Sequence, residues 1–344
     1  MKAIVRTKEH GEDMNCISIP IPIPKKGEVL VKIMCSPLNP SDKFAALGFY
    51  GLPPYKPLPP TQFISGLEGS GIITSVGEGV SQDLINKKVG VFCETLKFQS
   101  YHGNWSQYSI KRVDDVYVFP DQNIGFEETS SLFVNPMTVM LMWKEIEEGN
   151  HKAVIQTGAT GSLGKMLYKL CHFKKIPIIN VVHKEENVKH YKEVIKAEYV
   201  LDSLSPNFQK ELEEIIAKLK PTVAFDAVAG DLTSTILHAM PMYSQYFIYG
   251  GLSGKATNNI NCPDEFLIMR KQLKGIWLSE QLPSLDRALY KKYMDFIFED
   301  IKNKDSIFRP VIIKRFKLED WKDAFENFQK CATQGKYVFI PNDS

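Results

Sequence analysis

No apolar run in this chain of 344 residues reaches the roughly 18 residues that a membrane-spanning helix needs. The longest stretch, from Ser131 to Trp143, is interrupted by Asn135-Pro136. No Cys-x-x-Cys pair occurs, and the cysteines stand singly at Cys16, Cys35, Cys93, Cys171, Cys262 and Cys331. That spacing argues against a disulfide framework and suits free thiols in a reducing compartment. An excess of charge of one sign is lacking too. Lys and Arg number 42 against 40 Asp and Glu, a formal +2, which gives neither nucleic acid nor an anionic membrane surface a reason to be the main partner. Met1-Lys2-Ala3-Ile4-Val5-Arg6 runs straight into a strand pattern, so no signal or transit peptide is expected.

Several catalytic motifs are also missing. There is no His-Glu-x-x-His for a zinc peptidase and no Gly-x-Ser-x-Gly for a serine hydrolase. A Walker A loop fails at both ends, with Ala159 where the first Gly belongs and Met166 where Ser or Thr must follow Gly-Lys.

What is present is ordinary in amount and ordered in pattern. Hydrophobic residues make up 44% and charged residues 24%, enough for the core of a globular protein with two domains. The first third reads as short strands at Lys2–Arg6, 28–36, 71–76, Lys88–Phe92, 105–110 and 116–119, with a proline-rich loop over 52–60. A long apolar helix is expected from Glu127 to about Ile146, broken or kinked at Pro136. Strand–helix alternation follows, with strands at 153–156, 177–182, 199–201, 223–225 and 246–249 and a helix beginning at Ser205-Pro206. Alternating β and α implies a parallel sheet covered on both faces. The C-terminus returns to β at 309–316 and 336–340, around a helix from Glu319 to about Gln329. The expected plan is a doubly wound α/β domain, 125–303, inserted in a β-rich catalytic domain, 1–124 with 304–344. A cofactor cleft is expected between them.

The strongest local signal is Thr157-Gly158-Ala159-Thr160-Gly161-Ser162-Leu163-Gly164, between an apolar strand and an amphipathic helix. Glycines let the backbone approach a pyrophosphate, and the helix N-terminus offers free N–H groups and positive dipole to it. This is a Rossmann dinucleotide turn, with a structural glycine turn as the bland alternative. NAD-selective sites end their second strand with Asp or Glu. Here basic His183 and Lys184 follow Asn180-Val181-Val182, which favours NADPH over NADH. Glu185 and Glu186 are near, and are read as the acidic start of the next helix. The alternative is that His183 and Lys184 are solvated loop residues.

These features, with Leu38-Asn39-Pro40-Ser41-Asp42, Gly48-Phe49-Tyr50-Gly51, Val134-Asn135-Pro136-Met137-Thr138, Ile179-Asn180-Val181-Val182, Tyr249-Gly250-Gly251 and Lys274-Gly275-Ile276-Trp277-Leu278-Ser279, resemble the medium-chain dehydrogenase/reductase superfamily along essentially the whole chain. The fold implied is a Rossmann domain inserted in a GroES-like catalytic domain. Asn39 stands where the zinc alcohol dehydrogenases have a catalytic Cys, Gly66-Leu67-Glu68 replaces their Gly-His-Glu, and their four-cysteine lobe is absent. The resemblance is therefore to the zinc-free branch, closest to the mitochondrial trans-2-enoyl-thioester reductases and next to the quinone oxidoreductases. Two departures stand out: Leu67 replaces an often polar residue, and the turn centred on Gly161 has the quinone-reductase form.

That resemblance implies NADPH-dependent reduction of an enoyl-CoA or enoyl-acyl carrier protein, with Tyr50 as proton donor. It implies cofactor contacts from Asn135, Thr160, Gly161, Ser162, Leu163, His183, Lys184, Tyr249, Gly250, Gly251, Leu252, Ile276, Trp277, Leu278 and Lys336, and no metal. For Tyr50 the bland alternative is a loop ring packed at a domain edge; for Asn135, a helix-kink cap; for Lys336, a surface lysine. Ser36, Ser65 and Trp105 are candidates to border an acyl channel. The resemblance further implies a homodimer in the mitochondrion, with a cytoplasmic location as the alternative. Two other readings stay open: a quinone or enone reductase that does not need Tyr50, and a non-catalytic nucleotide-binding subunit of a larger assembly.

Overall fold

Val29, Val31 and Ile33 recur at the two-residue period of a strand, and in the computed structural model they share one core cluster with Ile73, Val89 and Val91. The structure describes residues 1–6, 14–46, 63–93, 103–331 and 334–342. Its contacts divide into two units, Met1–Met137 with Leu282–Ser344, and Thr138–Gln281.

The first unit is a mixed β structure. A sheet runs in the order Ile312–Phe316, Lys336–Phe339, Glu28–Pro37, Glu68–Val76, Lys88–Phe92, Val116–Val118, with Tyr108–Arg112 also paired to Glu28–Pro37. The C-terminal strand enters this N-terminal sheet through the antiparallel pairs Val338↔Pro37 and Phe339↔Ser36. A second cluster closes around Ile4, Leu38, Trp105, Phe316, Trp321 and Phe339. A smaller antiparallel sheet joins Met14–Ser18, Lys2–Arg6 and Phe63–Ile64.

The unit bounds differ from the divisions at 125 and 303 expected from the pattern. Residues beyond them stay with the β unit because they pack there: Phe298, on the helix Arg287–Ile301, lies 5.9 Å from the Tyr117 ring and 5.5 Å from Phe119. The expected long helix is two helices, Phe126–Thr129 and Val134–Glu148. Its break falls at 130–133 rather than at Pro136, which sits in the first turn of the second helix. A missing N–H there removes no helical hydrogen bond.

The second unit is a six-stranded parallel sheet in the order Tyr199–Asp202, Ile178–Val182, Val154–Thr157, Val223–Asp226, Gln245–Ile248, Gln272–Gly275. Val181 enters a cluster with Phe208, Leu212, Ile236 and Tyr246. Its neighbour Val182 enters another with Ala159, Tyr191 and Val200, as strand alternation between two covered faces requires. This is the expected doubly wound α/β domain, and the first unit is the expected GroES-like β domain. The helix expected at Ser205-Pro206 begins at Phe208, and Ser205 Oγ instead accepts the Asn207 N–H at 3.2 Å. Among the described residues no helix is long and apolar enough to cross a membrane.

Candidate functional site

Strand order in the second unit reverses between Val154–Thr157 and Val223–Asp226. Ligands of open α/β sheets bind at the carboxyl ends of strands at such a point. The glycine turn begins there. Gly158 has φ +62°, and a Cβ on it would lie 3.0 Å from Ala227 Cβ. A Cβ on Gly164 would lie 2.7 Å from Ala159 Cα, Ala159 O and Gly158 O. The turn can thus pack only with glycine at 164. The helix Ser162–Phe173 that follows has Gly161 as its N-cap and no side-chain cap. Its first N–H groups are free to meet an anion, and the half-buried Thr160, Ser162 and Leu163 stand beside them.

Asp226 fixes the other side of the reversal. Its Oδ1 accepts Thr157 Oγ1 at 2.5 Å, Val228 N at 2.8 Å and Ala229 N at 3.1 Å. Its Oδ2 accepts Thr233 Oγ1 at 2.6 Å and the Tyr246 hydroxyl at 2.9 Å. Five donors on one buried carboxylate lock the loop after the fourth strand to the start of the glycine turn. Tyr249 N donates to Asp226 O at 2.9 Å, and Leu252 N to Ala227 O at 3.0 Å, so Tyr249, Gly250, Gly251 and Leu252 join the same rim. Burial, with Asp226 nearby, pushes the Tyr249 phenol well up. Sequence reasoning missed Asp226. Its signal was an acid directly after the apolar Val223-Ala224-Phe225.

Two buried amides support this turn from below. Gln156 Nε2 donates to Gly164 O at 3.1 Å and to Asn180 Oδ1 at 2.8 Å, and Asn180 Nδ2 donates to Tyr199 O at 3.1 Å. At the second strand end, His183 and Lys184 are exposed. Lys184 has φ +79° and donates its N–H to Asp202 Oδ1 at 2.9 Å, while its ammonium is 3.8 Å from Glu186. The basic pair is therefore flanked by Asp202, a carboxylate that sequence reasoning left uncounted. Ile276 and Leu278 are buried and Trp277 half-buried. Lys274 and Gly275, expected with them as one motif, belong to the edge strand Gln272–Gly275.

The first unit holds a buried polar cluster of Asn39, Asp42, Glu68 and Lys336. Lys336 Nζ donates to Asn39 Oδ1. Asn39 Nδ2 donates to Glu68 Oε1 at 3.0 Å, and Glu68 Oε2 accepts Phe133 N and Val134 N, both at 2.9 Å. Asp42 accepts Asn39 N and Leu67 N, both at 2.7 Å. Burial pushes Glu68 up, opposed by Lys336, the Val134 N–H, Asn39 and the Phe133 N–H. Burial lowers Lys336, opposed by Glu68 and Asp42. Lys336 is not the surface lysine of the alternative reading: it is 5% exposed, with its ammonium held by Asn39. Among the described residues no three His, Cys, Asp or Glu side chains form a metal-binding group. An ammonium inside this cluster also opposes a divalent cation.

Asn135 follows this cluster directly. It is 8% exposed. Tyr50 lies outside the described residues. The candidate channel residues are closed off: Ser36 Oγ donates to Glu68 O at 2.7 Å, Ser65 Oγ to Met14 Sδ at 3.6 Å, and Trp105 Nε1 to Pro37 O at 3.2 Å, all three fully buried. None presents a free polar group to a substrate.

Comparison with known proteins gives this geometry a context. Residues 25–121 match the alcohol dehydrogenase GroES-like domain. The chain is 24% identical over 324 residues, 90% of its own length and 85% of the relative's, to the mitochondrial enoyl-[acyl-carrier-protein] reductase of Dictyostelium discoideum. Its structure matches a putative NADPH:quinone reductase from Mesorhizobium loti with a TM-score of 0.81 at 24% identity, covering 99% of this chain and 98% of that one. It also matches the Etr1p complex with NADP and crotonyl-CoA, with a TM-score of 0.76 at 20% identity over 98% of this chain and 99% of that one.

Proposed function

We propose that this chain belongs to the medium-chain dehydrogenase/reductase superfamily, to which its similarities point, and is an NADPH-dependent reductase of trans-2-enoyl thioesters carried on coenzyme A or acyl carrier protein. The observation that carries the cofactor reading is the uncapped helix N-terminus behind Gly158 and Gly164, which suits a pyrophosphate. Asn135, 8% exposed in the first unit, agrees with it, since its side chain is of the kind that pairs with a carboxamide. The substrate reading is supported by similarity along 90% of the chain to an enoyl-acyl carrier protein reductase.

In this reading the turn residues Thr160, Gly161, Ser162 and Leu163 hold the pyrophosphate, and His183 with Lys184 holds the 2′-phosphate. Tyr249, Gly250, Gly251, Leu252, Ile276, Trp277 and Leu278 line the nicotinamide end, with Asn135 on its amide. Bound NADPH supplies hydride to the β-carbon of the substrate. The thioester carbonyl takes up the negative charge that develops, so no metal is required if hydrogen-bond donors stabilise that oxygen. The α-carbon then needs a proton, and Tyr50 is the group assigned to give it. A phenol with an ordinary pKa near 10 is a competent acid toward an enolate-like carbon. The reading carries with it a mitochondrial location and a homodimer.

Replacing Tyr50 with Phe is expected to cut crotonyl-CoA reduction by at least about tenfold, since a positioned proton donor contributes roughly 10²–10⁴-fold, while NADPH binding persists. Unchanged turnover would remove Tyr50 from the mechanism. A quinone reductase on the same fold is the second reading, favoured by the form of the turn around Gly161. A non-catalytic subunit would instead elute from a sizing column of native extract within a much larger complex than a dimer.

A further inference from the structure

Glu68 is 0% exposed and accepts three donors: the Asn39 carboxamide on one oxygen, and the Phe133 and Val134 N–H groups on the other. Those two N–H groups immediately precede Asn135 and open the helix Val134–Glu148. A helix N-terminus carries unsatisfied donors and partial positive charge, so a carboxylate there both satisfies and orients it. The same carboxylate is held by a line of side chains from a distant part of the sequence. Lys336 donates to Asn39 Oδ1, which forces the Asn39 amide group to face Glu68. Asp42, the second acid of the cluster, has its two oxygens engaged by Asn39 N and Leu67 N.

We propose that Glu68 is a positioning residue for Asn135, and that Lys336 and Asn39 exist in this cluster to hold Glu68 in its accepting orientation. The relay sets the register of the helix N-terminus, and with it the place of the Asn135 carboxamide, without touching cofactor itself. The local positive charge beside Glu68 and Asp42 is the buried Lys336 ammonium. This inference rests on the reading of Asn135 as a cofactor contact.

The relay makes an asymmetric prediction about the Glu68→Gln substitution. With Lys336 in place, Asn39 must present its amide donors, so the new carboxamide of Glu68→Gln sets donor against donor either there or at the backbone. With Lys336→Met added, Asn39 is free to turn its own carboxamide and accept from the glutamine. The glutamine oxygen then keeps both backbone N–H groups. Removing both of the opposite charges that Glu68 and Lys336 place in one buried cluster is also better tolerated than removing one and leaving the other uncompensated. The Glu68→Gln/Lys336→Met and Glu68→Met/Lys336→Met double variants therefore match in charge and differ in the acceptor offered to Phe133 and Val134.

The experiment is a fluorescence titration of NADPH on both double variants, with melting temperatures measured alongside and Asn135→Ala as reference. The Met/Met variant is expected to bind NADPH about tenfold or more weaker than the Gln/Met variant, a loss in keeping with small misplacements of a binding group. Equal affinity in the two double variants overturns the positioning role of Glu68. Wild-type affinity in Asn135→Ala overturns instead the cofactor contact on which the inference rests, so the two failures are separable.

Discussion

Thr157 and Asp226 end adjacent strands, and the Thr157 hydroxyl donates to Asp226 Oδ1 at 2.5 Å while accepting the Ala227 N–H at 2.9 Å. This one pair ties the first residue of the glycine turn to the loop across the strand reversal. Removing the carboxylate with Asp226→Ala would leave five donors facing an apolar void. A loss of at least about 3 kcal/mol in unfolding free energy is expected, because each buried donor left unsatisfied costs roughly 1–3 kcal/mol. Chemical denaturation measures it; a loss under about 1 kcal/mol, the value of a single net hydrogen bond, would show that water takes the place of the carboxylate.

Gly164 and Gly161 differ in what they demand. A Cβ at Gly164 meets backbone at 2.7 Å, whereas at Gly161 the nearest atom is Gly158 O at 3.4 Å. Gly164→Ala must therefore push the turn apart, costing about 1–3 kcal/mol of stability as overpacking does and weakening NADPH binding. Gly161→Ala should fold with a loss no larger than about 1 kcal/mol, the cost of a poorer N-cap. Thermal melts of the pair check the contrast, and equal losses would count against the close packing of the turn.

Asp42 gives a pH signature. Burial pushes its carboxyl up from 3.8 to about 7, against the Asn39 and Leu67 N–H groups, with Glu68 adding to the rise and Lys336 opposing it. An acid raised in the folded state holds its proton after the unfolded chain has lost it, so the folded state binds more protons between those two values. Stability from this group is present below pH 3.8 and is lost as pH rises through about 7. Asp42→Asn should remove that downward slope from a plot of unfolding free energy against pH. A slope unchanged in the variant would assign it elsewhere.

Much of the second unit was legible in the sequence. Val154-Ile155 and Ile178-Ile179 are buried on both faces of a parallel sheet, and such strands read as unbroken apolar runs. The strand Gln272–Gly275 was not legible because all four of its residues are exposed. Met14–Ser18 was missed for a related reason, since Met14 alone is buried there. The turn at 157–164 announces itself locally through its glycines, and its place at the strand reversal follows once the alternating pattern is read. The Lys336–Asn39–Glu68 line has no such local mark. A lysine near the C-terminus looks like any solvated lysine until Lys336–Phe339 is paired beside Glu28–Pro37. Asn39 and Leu67 could be recognised as standing in for zinc ligands, but what Asn39 and Glu68 do together depends on the third partner, Lys336.

The most direct test is an oxidation assay of NADPH and NADH, each offered crotonyl-CoA and a quinone side by side. The account predicts that crotonyl-CoA with NADPH is turned over with a kcat/KM at least about tenfold above either NADH or quinone, the scale of discrimination that a built pocket readily supplies. Turnover of the quinone with no reduction of crotonyl-CoA would contradict it.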